Sequence, residues 1–207
     1  MTNTLHRQGT RESLSKDYVI FLYPARGINR QGCAEKMKQF IRMALEEGAI
    51  NIGVNKENLF TSDPEDMIAS INDGSSAIAT FSDPEKLCRF VARVKQADFG
   101  ISVNISGLAD EVDDILRSQG IVRHSIEHSI GVLGRTERLP TRQILELTTM
   151  CGHGMISFNH AKRMIDLVKL GRLTPRQAAR YLARPCVCGA FNVDRAEELL
   201  AKAVEMA

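Results

Sequence analysis

The run Asp17-Tyr-Val-Ile-Phe-Leu-Tyr23 is apolar at consecutive positions and rich in β-branched and aromatic side chains. A half-exposed strand would alternate, so this pattern predicts a strand covered on both faces. Working outward, the loop Pro24–Gly32 leads into a helix to about Glu47 that aligns Met37, Phe40, Ile41, Ala44 and Leu45. Ala49–Val54 alternates Ile50, Ile52 and Val54 against Asn51 and Gly53, as a half-buried strand does. Asp63-Pro64 opens a short helix and Asp83-Pro84 a longer one, each with a cap followed by proline at the first helical position. Ser76–Phe81 and Phe99–Ile105 complete a set of four strands. The resulting order predicts an α+β, ferredoxin-like βαββαβ-type domain, with a doubly wound α/β sheet as the alternative. A helix from Leu108 to about Ser118 follows, then a further strand over Val122–Leu133 whose common face carries Val122, His124, Ile126, His128 and Ile130.

From Pro140 onward the pattern is helices joined by short loops, the third of them opened by the capping box Thr174-Pro-Arg-Gln177 and the last capped by Asp194. The expected division is a fraying tail over 1–16, an α/β domain over 17–134 and a helical Cys/His-containing C-terminal module over 135–207.

Composition narrows the function classes. The chain has 207 residues, a net charge of +2, 43% hydrophobic and 25% charged residues. Those values describe a folded globular protein with no bulk electrostatic affinity for nucleic acid. Neither a membrane-length apolar run nor an export signal is visible in the first residues, so a cytoplasmic protein is expected. The basic positions Lys162, Arg163, Lys169, Arg172, Arg176, Arg180 and Arg184 read as a solvated face, because tryptophan is absent and only three tyrosines are available for base stacking.

The five cysteines carry the most chemical content. Cys33 and Cys88 lie on apolar helical patterns and read as small buried hydrophobes. Cys151, Cys186 and Cys188 lie in two glycine-flanked segments, Met150-Cys-Gly-His-Gly154 and Pro185-Cys-Val-Cys-Gly189, each preceding a helix. An odd number of thiols without an export signal favours metal or catalysis over disulfides. With His153 they make a Cys₃His set, the ligand count of a closed zinc site. Three thiolates also suit an iron–sulfur cluster with one iron open, so the cofactor expected is zinc or iron–sulfur, not separated by spacing.

Met150-Cys-Gly-His-Gly154 resembles the segment around one catalytic cysteine of the proline racemase family. The resemblance implies metal-independent racemase or epimerase chemistry, with Cys151 as one acid/base thiol and Cys186 or Cys188 as the other. It covers five to seven residues. The family's chains are longer and two-fold repeated, and their second motif continues Gly-Thr-Gly where this chain has Cys-Val-Cys-Gly-Ala.

His124-Ser-Ile-Glu-His128 matches His-x-x-Glu-His, a zinc-peptidase pattern that needs a helix to bring both histidines to one metal. In a strand they stand about 13 Å apart, which leaves His124, His128 and Glu127 as candidate acid/base residues lining a cleft. Arg26 and Arg30, in a glycine-containing loop that opens a helix, and Arg135, just before the cysteine module, are candidate anion-binding residues. The reading that follows is a metal-binding protein, extending to a metalloenzyme acting on a small anionic substrate. Its competitor is a non-catalytic regulatory or metal-handling module. The partners expected are a small-molecule ligand, with homo-oligomerisation as an option, and neither nucleic acid nor membrane.

Overall fold

A computed structural model describes residues 6–205. Its centre is a five-stranded, wholly antiparallel sheet in the order β3-β2-β4-β1-β5. The strands are β1 (Tyr18–Tyr23), β2 (Asn51–Val54), β3 (Glu57–Asn58), β4 (Ala77–Phe81) and β5 (Ser102–Ser106). The absence of parallel pairs among these strands removes the doubly wound alternative.

Around the sheet run α1 (Arg11–Leu14), α2 (Ala34–Glu46), α3 (Pro64–Ala69), α4 (Pro84–Ala97), α5 (Ala109–Ser118), a 3₁₀ turn (Thr136–Arg138), α6 (Arg142–Thr148), α7 (Phe158–Lys169), α8 (Pro175–Ala183) and α9 (Val193–Glu205). None of the described helices is long and apolar enough to cross a membrane. The two aspartate–proline helix starts form as expected, with the Asp63 and Asp83 carboxylates accepting the Glu65 and Glu85 amides at 2.9 and 2.8 Å.

Side-chain alternation along the strands divides the core in two. Tyr18, Ile20, Leu22, Ile52, Ala79 and Phe81 pack with α2, α3 and α4 on one face. Val19, Phe21 and Ile78 pack with α6 to α9 on the other. The C-terminal helices therefore supply the second cover of the sheet, which is why β1 is apolar on consecutive positions.

Residues 6–16, expected to fray, are instead anchored by polar burial. The Arg195 guanidinium donates to Asp17 at 2.8 Å, to Ser13 Oγ at 2.8 Å and to the Gln8 carbonyl at 2.5 Å, and Arg7 pairs with the other Asp17 oxygen. The first five residues of that tail lie outside the described residues.

Two further expectations are corrected. The segment 122–133 forms no ladder and runs as irregular extended chain, leaving Val122 91% and Ile130 84% exposed. Alternation alone does not make a strand where no neighbour offers a hydrogen-bonding edge in register. At the start of α9 the cap is Asn192, whose Oδ1 accepts the Arg195 amide at 2.9 Å. Asp194 bonds Ser82 and Arg176 instead.

Candidate functional site

The second face of the sheet carries an unusual row of residues for a core. Asn51 and Gly53 of β2 and Thr80 of β4 point there, and Asn51 stands directly opposite Thr80 in the ladder. Asn51, Asn58 and Thr80 are all fully buried. Buried polar side chains require partners, and each of these finds one in the segment from Ala183 to Phe191. Asn51 Nδ2 donates to the Phe191 carbonyl at 3.1 Å, and Thr80 Oγ1 to the Gly189 carbonyl at 2.9 Å. Asn58 Nδ2 lies 3.3, 3.2 and 3.0 Å from the carbonyls of Ala183, Arg184 and Cys186.

Glycine makes the approach close enough. A Cβ on Gly53 would fall 1.8 Å from the Cys188 carbonyl oxygen, and one on Gly189 would fall 2.2 Å from the Ile52 carbonyl oxygen. Gly189 also has φ +67°, where an L side chain is strained. The Cys186–Gly189 turn thus lies backbone-to-backbone on β2.

The other cysteine segment is the turn between α6 and α7. Arg7 joins the two. Its guanidinium donates to the Met150 carbonyl at 3.1 Å and also to the Ala190 carbonyl, one residue before Cys151 and two after Cys188. The Thr149 hydroxyl accepts the Gln8 amide at 2.9 Å, fastening the N-terminal segment to the same turn.

Three sulfurs meet between these supports. Cys186 Sγ and Cys188 Sγ are 3.8 Å apart. Cys151 lies beside both, and hydrogen bonds from Cys186 and then Cys188 pull its thiol well below the ordinary range, helped by the Met155 and His153 amides. The Cys186 thiol is pushed up because it supplies protons to its neighbours and is buried. Cys188 moves up as well, chiefly through Cys151. All five cysteines are free thiols. The amides that favour the Cys151 thiolate belong to its own turn. The first turn of α7 is capped by Ser157.

The remaining candidates lie elsewhere. His153 is exposed, and its backbone N–H faces Cys151. Among the described residues no group of three or more Cys, His, Asp or Glu side chains forms a ready-made metal cage; the sulfurs are held as a hydrogen-bonded thiol set. Arg30 bonds the carbonyls of Asp73 and Gly74 at 2.9 Å each. The α2 start beside it is filled by the Asp73 carboxylate, which accepts the Gly32 and Ala34 amides at 2.8 and 2.9 Å. An internal carboxylate therefore sits where an anionic ligand had been expected. Arg26 and Arg135 are exposed, as are His124, Glu127 and His128. Those last three lie together on the wall of a separate cavity along β5. Cys33 is buried as expected, whereas Cys88 is half-buried and accepts a hydrogen bond from Gln119 at 3.1 Å.

Asn51, Asn58, Thr80 and Arg7 were missed as site residues. The signal for Asn51 was the alternation in Ala49–Val54, which put it on one face with Gly53. That face was assigned to solvent, and it lies under the Cys186–Gly189 turn. No protein-family model, curated protein or solved structure matches the chain.

Proposed function

We propose that this protein binds a thiophilic metal through Cys151, Cys186 and Cys188, on a sheet whose order β2-β4-β1-β5, with β3 as an added hairpin strand, fits the ferredoxin-like plan. The observation that carries the reading is the meeting of three sulfurs, those of Cys151 and Cys186 buried and that of Cys188 half-buried, from two segments more than thirty residues apart in sequence. Nothing in apolar packing requires three thiols to share a pocket. A metal does, since thiolates bind it in place of the protons they now share.

Spacing favours a single ion. For a tetrahedral zinc with Zn–S of about 2.3 Å, two thiolates stand about 3.8 Å apart, and the Cys186–Cys188 separation is 3.8 Å. In a four-iron cluster, the kind three thiolates would hold with one iron open, each thiolate takes its own iron and the sulfurs stand further apart, so zinc is preferred over such a cluster. Such an ion would supply Lewis acidity if its fourth position stays open, and cross-linking of the two turns if it is closed. The protein's own contribution is to aim the thiols: Asn51, Asn58 and Thr80 hold one turn to the sheet, and Arg7 holds that turn to the other.

Titration with cobalt(II) under argon tests the reading. Intense sulfur-to-cobalt charge-transfer absorption, reversed by zinc, is expected from the wild-type chain and reduced in Cys188→Ser. Cobalt spectra of a purely aquo or imidazole type would contradict it. An iron- and sulfide-containing chromophore in anaerobically purified protein would retain the cysteines and replace zinc with a cluster.

A further inference from the structure

A cavity runs along β5, and none of the three thiols lines it. Its volume is 790 Å³ and its walls include Arg7, Phe21, Asn104, Ile105, His124 and His128, a size in the range of small-molecule pockets. It exists because β5 is an edge strand and the segment 121–129 passes beside it without pairing.

Charge says what such a space would take. Two buried guanidiniums, Arg7 and Arg195, share the single carboxylate of Asp17, with side-chain exposures of 6%, 1% and 0%. The nearby Glu146 carboxylate is paired with Arg142 at 3.0 Å. One carboxylate thus serves two guanidiniums in the interior, where ionic groups need hydrogen-bond partners. Arg7 Nε is moreover the one buried side-chain polar atom among the described residues that has no hydrogen-bond partner. Both features belong to the residue at the cavity wall, and none of the hydrogen bonds shown for Arg7 goes to a sulfur.

We propose that the β5 cavity binds a small organic anion, its carboxylate or similar head received at Arg7 and its apolar body lying along Phe21, on the face of the sheet that Asn104 shares. Such a ligand would give the Arg7 guanidinium a further charge-assisted partner. It would also rest on the arginine that holds Met150 and Ala190.

The test is ¹H–¹⁵N NMR titration of the full chain with sodium octanoate, and in parallel with 1-octanol as an uncharged probe of the same body. Saturable shifts confined to residues around 103–107 and 121–129 are expected with octanoate, with octanol at least about tenfold weaker, the worth of one charge-assisted hydrogen bond. Arg7→Met should weaken octanoate to the level of octanol. Because that variant also disturbs a buried network, Asn104→Trp serves beside it: it fills the cavity from β5, leaves Arg7 intact and should abolish the shifts. Equal binding of the two probes, no saturable shifts, or undiminished binding in Asn104→Trp would each overturn the proposal. Cys151→Ser should leave octanoate binding in place, so failure of the metal site and failure of this one are separable.

Discussion

Gly53 lies directly beneath the carbonyl of Cys188, so close that a single methyl group there would sit 1.8 Å from the oxygen. The position of one thiol turn is thereby set by the absence of a side chain on the sheet. Gly53→Ala must push the turn away from β2 or distort the strand. Overpacking of this kind costs about 1–3 kcal/mol, and here the strain falls on the segment that carries two of the three thiols. We expect a lower urea midpoint together with weakened cobalt binding. Gly100→Ala is the comparison, since no atom lies within 4 Å of its added Cβ although its positive φ adds strain: it should lose stability without losing metal affinity. Unchanged cobalt affinity in Gly53→Ala would show that the turn is not held by this contact.

Asn58 serves three carbonyls with one amide nitrogen. Asn58→Leu keeps the volume and leaves those acceptors without their donor in a buried setting, at a cost of about 1–3 kcal/mol. Asn58→Asp loses the donor as well and buries a carboxylate against carbonyl oxygens, so it should be worse than Asn58→Leu. Denaturant unfolding of the three proteins checks the order.

Asp17 is the shared countercharge of Arg7 and Arg195. Asp17→Asn leaves both guanidiniums buried without it, and breaking a buried pair from one side costs about 3–5 kcal/mol. The expected result is severe destabilisation that a double change, Asp17→Asn with Arg195→Met, partly relieves. Additive losses in the double variant would show that the charges do not act on each other.

Asp73 predicts a pH dependence. The Gly32 and Ala34 amides hold its carboxyl below the usual carboxylate range. A carboxyl depressed in the folded state stabilises fully above its unfolded pKa, about 3.9, and that contribution is lost as pH falls through the lower folded value. Stability should therefore decline on the acid side. Asp73→Asn should be less stable at neutral pH and show a flatter acid limb, followed by unfolding from neutral to strongly acidic pH. The same acid slope in both proteins would contradict the role of the carboxylate.

Much of this architecture was legible from local pattern. Continuous apolarity in Tyr18–Tyr23 marked a strand buried twice, and the aspartate–proline pairs marked the starts of α3 and α4, because strand burial and helix capping are written in adjacent residues. The polar support of the thiols was not legible in that way. Asn51, Asn58 and Thr80 look like solvent-facing strand positions until the helices α8 and α9 bring a polar turn over them, and that placement depends on chain more than a hundred residues away. Arg7 was hidden for the same reason, in a leader whose few apolar residues gave no hint of burial. Conversely, Val122–Leu133 alternates well and forms no strand, since a ladder needs a neighbour as well as a pattern. The cysteine grouping was suggested by chemistry alone; at His153 the residue is exposed and its backbone amide faces the sulfur.

The central claim is that Cys151, Cys186 and Cys188 act as one ligand set. Its most direct test is metal content per chain, by elemental analysis of protein purified without oxygen, for the wild type and the three single Cys→Ser variants. The account predicts about one bound zinc per wild-type chain and a clear loss in every variant, with Cys33→Ser unaffected. Wild-type protein that binds no zinc or other thiophilic metal even after reconstitution, or any of the three serine variants retaining full metal content, would contradict it.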